Sequence, residues 1–273
     1  MTAAPPRIGG RWRRRQPAGA TASGPAEGAG PLLECRALTK AFGEVQAVDH
    51  VDLAVGRGER LGIIGPNGSG KTTLFNCLSG FVPVTAGQVW WRGNDVTGWP
   101  CQRRARHGLV RTFQQVAIFA DLTVRESVVR ANLCRDALGR KEPRLAGLAG
   151  DDPDHLIELC NLTGYAERRV VELAYGTQKL VNVAMALATN PTLLMLDEPA
   201  AGLSAEEATE LGTVIRAAAD EGMTFCLVDH NMPFLSSLCN RVVCLNAGAV
   251  LREGTPQEIR DDDEVRQVYL GSR

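Results

Sequence analysis

The segment from Arg60 to Thr72 constrains this chain more than any other. Arg60-Leu-Gly-Ile-Ile64 is a short apolar run of the kind that forms a strand covered on both faces. It passes directly into Gly65-Pro-Asn-Gly-Ser-Gly-Lys-Thr72, which satisfies the phosphate-loop spacing G-x-x-x-x-G-K-[ST] at every constrained position. The glycines permit backbone conformations that aim successive N–H groups inward, and the helix that opens at Thr72 adds about half a positive charge. Together these make an anion site. Lys71 can reach outer phosphates and Thr72 can ligate Mg²⁺. A plain glycine-rich turn before a helix has no need of Lys-Thr in this register. Gly65, Pro66, Asn67, Gly68, Ser69, Gly70, Lys71, Thr72 and Thr73 are therefore the candidate nucleotide-binding residues.

Two further apolar runs, Leu193–Leu196 and Thr224–Val228, also fit buried parallel strands, which makes the expected fold class α/β. The first ends in Asp197-Glu198. Alternation along a strand points these carboxylates to opposite sides, so they can do different work. Asp197 is placed to hold Mg²⁺ through water. Glu198 can polarise a water for in-line attack on a terminal phosphorus. Alone, such a strand end would be an ordinary solvated feature; beside a phosphate loop it is a catalytic candidate. Leu32–Ala37, Val51–Val55 and Gln88–Arg92 read as strands, and Arg241–Arg252 as a hairpin turning at Asn246–Gly248. Pro256–Tyr269 reads as one charged helix. From Val116 to Arg169 the apolar pattern is helical, with Leu138 to Pro153 as a mobile connection.

At 273 residues the chain can form one large domain or a core with a subdomain. Its net charge of -1 supplies no global field to recruit nucleic acid. Residues 1–31 differ: five arginines (7, 11, 13, 14 and 15) against Glu27 give +4, which leaves -5 on the rest. This stretch has little to bury and reads as a disordered, solvated tail; attraction to anionic lipid is the alternative. No run approaches the ~18 apolar residues of a membrane span, so a transport role requires a partner that crosses the bilayer. The eight cysteines are scattered without a C-x-x-C pair and read as reduced core residues of a cytosolic protein.

A third segment, Leu173-Ala-Tyr-Gly-Thr-Gln178, lies between the phosphate loop and Asp197-Glu198. The three in this order resemble the ATPase subunit of the ATP-binding cassette (ABC) superfamily, from roughly Leu32 to the C-terminus. The resemblance implies a P-loop NTPase core of ABC ATPase type over residues 32–273. It adds an antiparallel β subdomain and an inserted helical subdomain at about 116–169. It implies ATP hydrolysis with Mg²⁺ and gives roles to more residues. Gln114 falls where the family's Q-loop glutamine senses Mg²⁺ and relays to the membrane partner. His230 matches the switch histidine that contacts the terminal phosphate, and Phe42 the ring that stacks on adenine. Without the resemblance, His230 is an ordinary histidine and Phe42 simple core.

The same resemblance makes Ala174, Tyr175, Gly176 and Gln178 the signature motif, which closes over ATP held by a facing subunit. Here Ala174 replaces the usual Ser, removing one hydrogen bond to a charged group, worth about 1.5–3 kcal/mol. The N–H groups of Tyr175 and Gly176, at a helix start, can still bind an anion. Ser204 stands where many relatives carry Asp, and Leu180 and Asn182 replace the usual Arg and Glu.

Finer features resemble the branched-chain amino-acid uptake family. They are Gly108-Leu-Val-Arg-Thr-Phe-Gln114, Ile118-Phe-Ala-Asp-Leu-Thr-Val124, Ala174-Tyr-Gly176, Pro199-Ala-Ala-Gly-Leu203, Val228-Asp-His-Asn-Met232, Gly254-Thr-Pro-Gln-Glu-Ile259 and Val268-Tyr-Leu-Gly271. That resemblance implies an importer at the cytoplasmic face of the membrane. Integral permease subunits, a second, non-identical ABC ATPase and an extracytoplasmic solute-binding protein are its expected partners. Urea, short amides and aromatic acids are the related solutes. The alternatives are an ABC exporter and a non-transport ABC protein, although the folded part shows no basic stripe for nucleic acid. A P-loop kinase or GTPase would leave Leu173–Gln178 and His230 unexplained.

Overall fold

The computed structural model describes residues 30–113, 119, 121–137 and 152–270. The expected tail at 1–31 lies almost wholly outside them, as do Gln114 and most of the Leu138–Pro153 connection. Among the described residues no helix is long and apolar enough to cross a membrane.

Two sheets form the body. The strands β1 (Leu33–Phe42), β2 (Val45–Val55), β4 (Ala86–Trp91) and β5 (Asn94–Asp95) make an antiparallel sheet in the order β2-β1-β4-β5. The second sheet has the order β10-β9-β3-β8-β7-β6, from β3 (Arg60–Ile64), β6 (Leu109–Arg111), β7 (Leu193–Asp197), β8 (Thr224–Val228), β9 (Arg241–Asn246) and β10 (Ala249–Gly254). Its inner strands pair in parallel; only β10 runs against its neighbour. The helices are α1 (Lys71–Ser79), α2 (Cys101–Arg106), α3 (Val124–Ala137), α4 (Pro153–Leu159), α5 (Tyr175–Ala188), α6 (Ala205–Asp220), α7 (Met232–Leu238), α8 (Pro256–Asp261) and α9 (Asp263–Leu270).

The continuous apolar runs follow from burial on both faces. In β7, Leu193 and Met195 join the core shared with the antiparallel sheet and α1, whereas Leu194 and Leu196 join the core under α5, α6 and α7. Strand β8 divides likewise, Cys226 and Val228 on one side and Phe225 and Leu227 on the other. Gly62 faces α7 so closely that a Cβ would sit 2.6 Å from a Leu235 methyl, which explains a glycine inside a strand.

Several local expectations need correction. The C-terminal helix is two helices: the Asp262 carboxylate accepts from the Glu264 and Val265 N–H groups at 2.9 Å, capping α9 and breaking the run. The hairpin turn falls where expected, on Ala247 and Gly248, both at positive φ as a type I′ turn requires. Strand β4 stops at Trp91, because Arg92 has left-handed φ. Six cysteines are buried, but Cys134 is exposed and Cys101 half-buried; all eight are free thiols. Burial accounts for the first group, raising Cys35 and Cys160 to about 12.

Candidate active site

Parallel register gathers the candidate residues at one end of three adjacent strands. Ile63 of β3 lies beside Val228 of β8, and Val228 beside Asp197 of β7. The phosphate loop, Asp229-His230 and Asp197-Glu198 therefore leave the sheet side by side, each strand about 4.8 Å from the next. A crevice at the carboxyl ends of parallel strands is where open α/β sheets bind ligands.

The loop is braced from behind and open in front. A Cβ on Gly65 would come within 2.3 Å of the Leu245 carbonyl, and one on Gly70 within 2.3 Å of the Ala47 carbonyl. Gly68, at φ +77, has nothing within 4 Å of that position. The Ser69 carbonyl accepts from the Gly248 N–H at 3.1 Å, so the β9–β10 turn also holds the loop. Gly70, left-handed and without a side-chain cap, leads into α1, whose first N–H groups have no intrahelical partner. Lys71 is 8% exposed, and its Nζ donates to the Gly65 and Pro66 carbonyls at 2.7 and 2.8 Å. Burial lowers its pKa, opposed by Glu198, Cys244 and Asp197 in that order. Thr72 is exposed and Thr73 half-buried. Phe42 ends β1 with its ring 52% exposed and the Lys40 ammonium 4.8 Å from its centroid. It has an open face, unlike a core phenylalanine.

Asp197 is buried, and its Oδ2 accepts from Arg111 at 2.7 Å. Arg111 also donates to the Asn76 and Ser79 side chains of α1, at 2.7 and 3.0 Å, and lies within 5.6 Å of the Phe75, Phe81 and Phe113 rings. Glu198 departs from the expected alternation. It has left the strand, with φ 45, in a conformation that non-glycine residues rarely adopt. Its N–H donates to the Val228 carbonyl at 2.8 Å, and its carbonyl accepts from Lys179 at 3.2 Å. The turn, not strand alternation, separates the two carboxylates. His230 is 64% exposed beside Asp229, which is fully buried with its two oxygens on the Ala200 and Asn231 N–H groups.

The signature segment is built on the helical side. Ala174 is the N-cap of α5 and, lacking a hydroxyl, makes no side-chain cap, so the N–H groups of the first turn have no side chain over them. Tyr175 is exposed and lies 3.2 Å from the Cβ position of Gly202. Gly176 is buried against Glu207, where a Cβ would meet Oε1 at 2.3 Å. Gln178 turns its amide back to the Leu173 carbonyl at 2.9 Å. Ser204 caps α6 in a reciprocal pair with Glu207.

Sequence reasoning missed three groups that hold these pieces together: Arg111, Lys179 and Asp229. Arg111 and Asp229 carried a legible signal, each a lone charge at the end of an apolar strand. Lys179 carried none, because a lysine in a polar helix start reads as solvated. For Mg²⁺, the candidates are the Thr72 hydroxyl and the Asp197 carboxylate, hard oxygen donors of the kind that ion takes.

Residues 48–201 match the family ABC_tran, "ABC transporter", and residues 253–273 match "Branched-chain amino acid ATP-binding cassette transporter". The chain is 38% identical to the high-affinity branched-chain amino acid transport ATP-binding protein BraF of Pseudomonas aeruginosa, over 88% of this chain and 98% of that one. It is equally identical, with the same coverage, to LivG of Escherichia coli, which bears the same description. The lipopolysaccharide export system ATP-binding protein LptB of Escherichia coli is 32% identical, over 88% of this chain and 97% of that one. Among solved structures, the ATP-binding cassette MJ1267 in its ADP conformation superposes with TM-score 0.77 at 28% identity, covering 88% of this chain and 99% of that one. This chain belongs to the ABC transporter ATP-binding family and is an ABC-type, nucleotide-binding ATPase of P-loop NTPase fold.

Proposed function

We propose that this ATPase powers an importer of branched-chain amino acids or of a related small polar solute such as urea, an amide or an aromatic acid. One observation supports the catalytic half of the reading: Ile63, Val228 and Asp197 are in register, so the phosphate loop, Asp229-His230 and Asp197-Glu198 leave neighbouring strand ends. The match of residues 253–273 and the BraF and LivG relatives support the solute class.

In this reading the Phe42 ring takes the adenine and the N–H groups of residues 65–73 take the phosphates. Lys71 exchanges its contacts with the Gly65 and Pro66 carbonyls for outer phosphate oxygens. Mg²⁺ held by Thr72, Asp197 and Gln114 would neutralise phosphate charge. Glu198 is the base that takes the proton of the attacking water, and His230 steadies the terminal phosphate. The N–H groups at Tyr175 and Gly176, with Ala174 and Gln178, close on the nucleotide of a second, non-identical ATPase subunit. Closure brings together the helical subdomains, placed at about 116–169 of a domain spanning 32–273, and moves integral permease subunits seated near Gln114. An extracytoplasmic solute-binding protein feeds those permeases, and the ATPase sits peripherally on the cytoplasmic face of the cell membrane.

The test is to tag the chain, purify it from native membranes in mild detergent, and identify its companions by mass spectrometry. Two multi-span proteins with a second, different ATPase are the expected result. The LptB relative favours a second reading, export, which would appear as permeases without any solute-binding protein encoded beside them. A soluble assembly lacking membrane subunits would overturn both.

A further inference from the structure

The last helix ends against the first residue of the phosphate loop. The Gly65 N–H donates to the Tyr269 hydroxyl at 2.7 Å, a contact between residues 204 positions apart. Gly65 is buried, and its Cβ position is wedged between the Leu245 carbonyl at 2.3 Å and the Ser69 hydroxyl at 2.5 Å. A backbone N–H buried there is costly to leave without an acceptor. Tyr269 is seated for the task. Its ring packs on the core under the helices beside buried Val265, and Arg252 of β10 pairs with Asp262 and Glu264 at the start of α9. Burial, then Cys244, pushes the hydroxyl up to about 12, so it remains a neutral phenol at physiological pH.

We propose that Tyr269 is a positioning residue of the nucleotide loop, its hydroxyl fixing the Gly65 amide and so pre-orienting the 65–73 backbone for phosphate. A loop with glycines at 65, 68 and 70 has much conformational freedom to lose on binding. Every contact that restrains it beforehand reduces that loss. Tyr269 holds its beginning, and the β9–β10 turn holds Ser69 through Gly248. Two of its supports thus come from the last quarter of the chain, and the segment matched at 253–273 becomes part of the nucleotide site.

The inference rests on residues 65–73 being the nucleotide loop. The experiment is titration of the full-length chain and of Tyr269→Phe with a fluorescent ADP analogue, with melting temperature and saturated ATPase rate recorded alongside. Loss of one hydrogen bond predicts a Kd raised about three- to tenfold, with the saturated rate nearly unchanged. A lower melting temperature with the parent's Kd would make Tyr269 merely structural and overturn the inference. No binding by the parent itself would overturn the loop reading together with it. Arg252→Gln loosens the seat of α9 and keeps the hydroxyl. It should weaken binding about two- to threefold, and parent-level affinity there would count against the inference even if Tyr269→Phe fails to fold.

Discussion

Lys71 and Lys179 are both buried, and in both burial lowers the pKa against the pull of nearby carboxylates, Glu198 among them. Both ammonium groups rest on backbone carbonyls, yet their partners differ in kind. Lys71 touches carbonyls five and six residues away, in its own loop. Lys179 reaches the carbonyls of Glu198, Pro199 and Ala201, about twenty residues on, at 3.2, 2.9 and 2.7 Å. The first set consists of local bonds that a phosphate can replace. The second is a tertiary clamp on the turn that holds Glu198 at positive φ, a conformation that must be enforced by its surroundings. In the proposed mechanism one lysine exchanges partners and the other keeps them.

Glu198→Gln should have the largest effect. Loss of a general base costs about 10²–10⁴ in rate, while ATP binding is retained and a closed dimer with the partner ATPase accumulates, as gel filtration of the two subunits with ATP would reveal. Wild-type turnover in that variant would remove Glu198 from the base role. The lysines separate next. Lys71→Ala should weaken nucleotide binding by at least about tenfold with little change in melting temperature, since only local bonds are lost. Lys179→Met should do the reverse, destabilising the fold by about 2–3 kcal/mol in urea unfolding while ADP affinity stays close to the parent's. Equal losses of affinity in the two would break the contrast between the lysines.

Arg111→Gln sharpens it from the opposite charge. The change unpairs Asp197 in a buried site, and a broken buried ion pair costs about 3–5 kcal/mol at most. The expected signature is a shifted Mg²⁺ dependence of ATPase activity beyond the stability loss; an unchanged dependence would make the Arg111–Asp197 pair purely structural. The smallest effect belongs to Ala174→Ser, which restores a cap to α5 worth about 1 kcal/mol and should leave ATPase activity equal or modestly higher. Collapse of activity would show that the site is packed around the missing hydroxyl.

The strands β3, β7 and β8 and the phosphate loop were legible because each is a local pattern: an uninterrupted apolar run, and a spacing of glycines before Lys-Thr. Phe42, His230 and Gln114 were singled out by resemblance alone, since nothing in the neighbours of Phe42 or His230 distinguishes an exposed ring or histidine from a packed one. The split at Asp262 was missed because a helical charge pattern continues through it, and only the side chain's choice of backbone partners ends α8 there. Cys134 was misjudged for a related reason: helical periodicity says which residues share a face, but not which face meets a neighbour.

Taken by itself, the sequence determined the phosphate loop, the parallel α/β core and the acidic strand end, because these depend on residue type and short spacing. It also carried the ABC family, through three motifs in order. Tertiary structure alone decided that Glu198 steps out of its strand, that Arg111 pairs with Asp197 and Lys179 with the Pro199 carbonyl, and that Tyr269 reaches back to Gly65. Those are contacts between residues 20 to 204 positions apart. They arise from strand register and helix packing, which the chain fixes only when its two cores close.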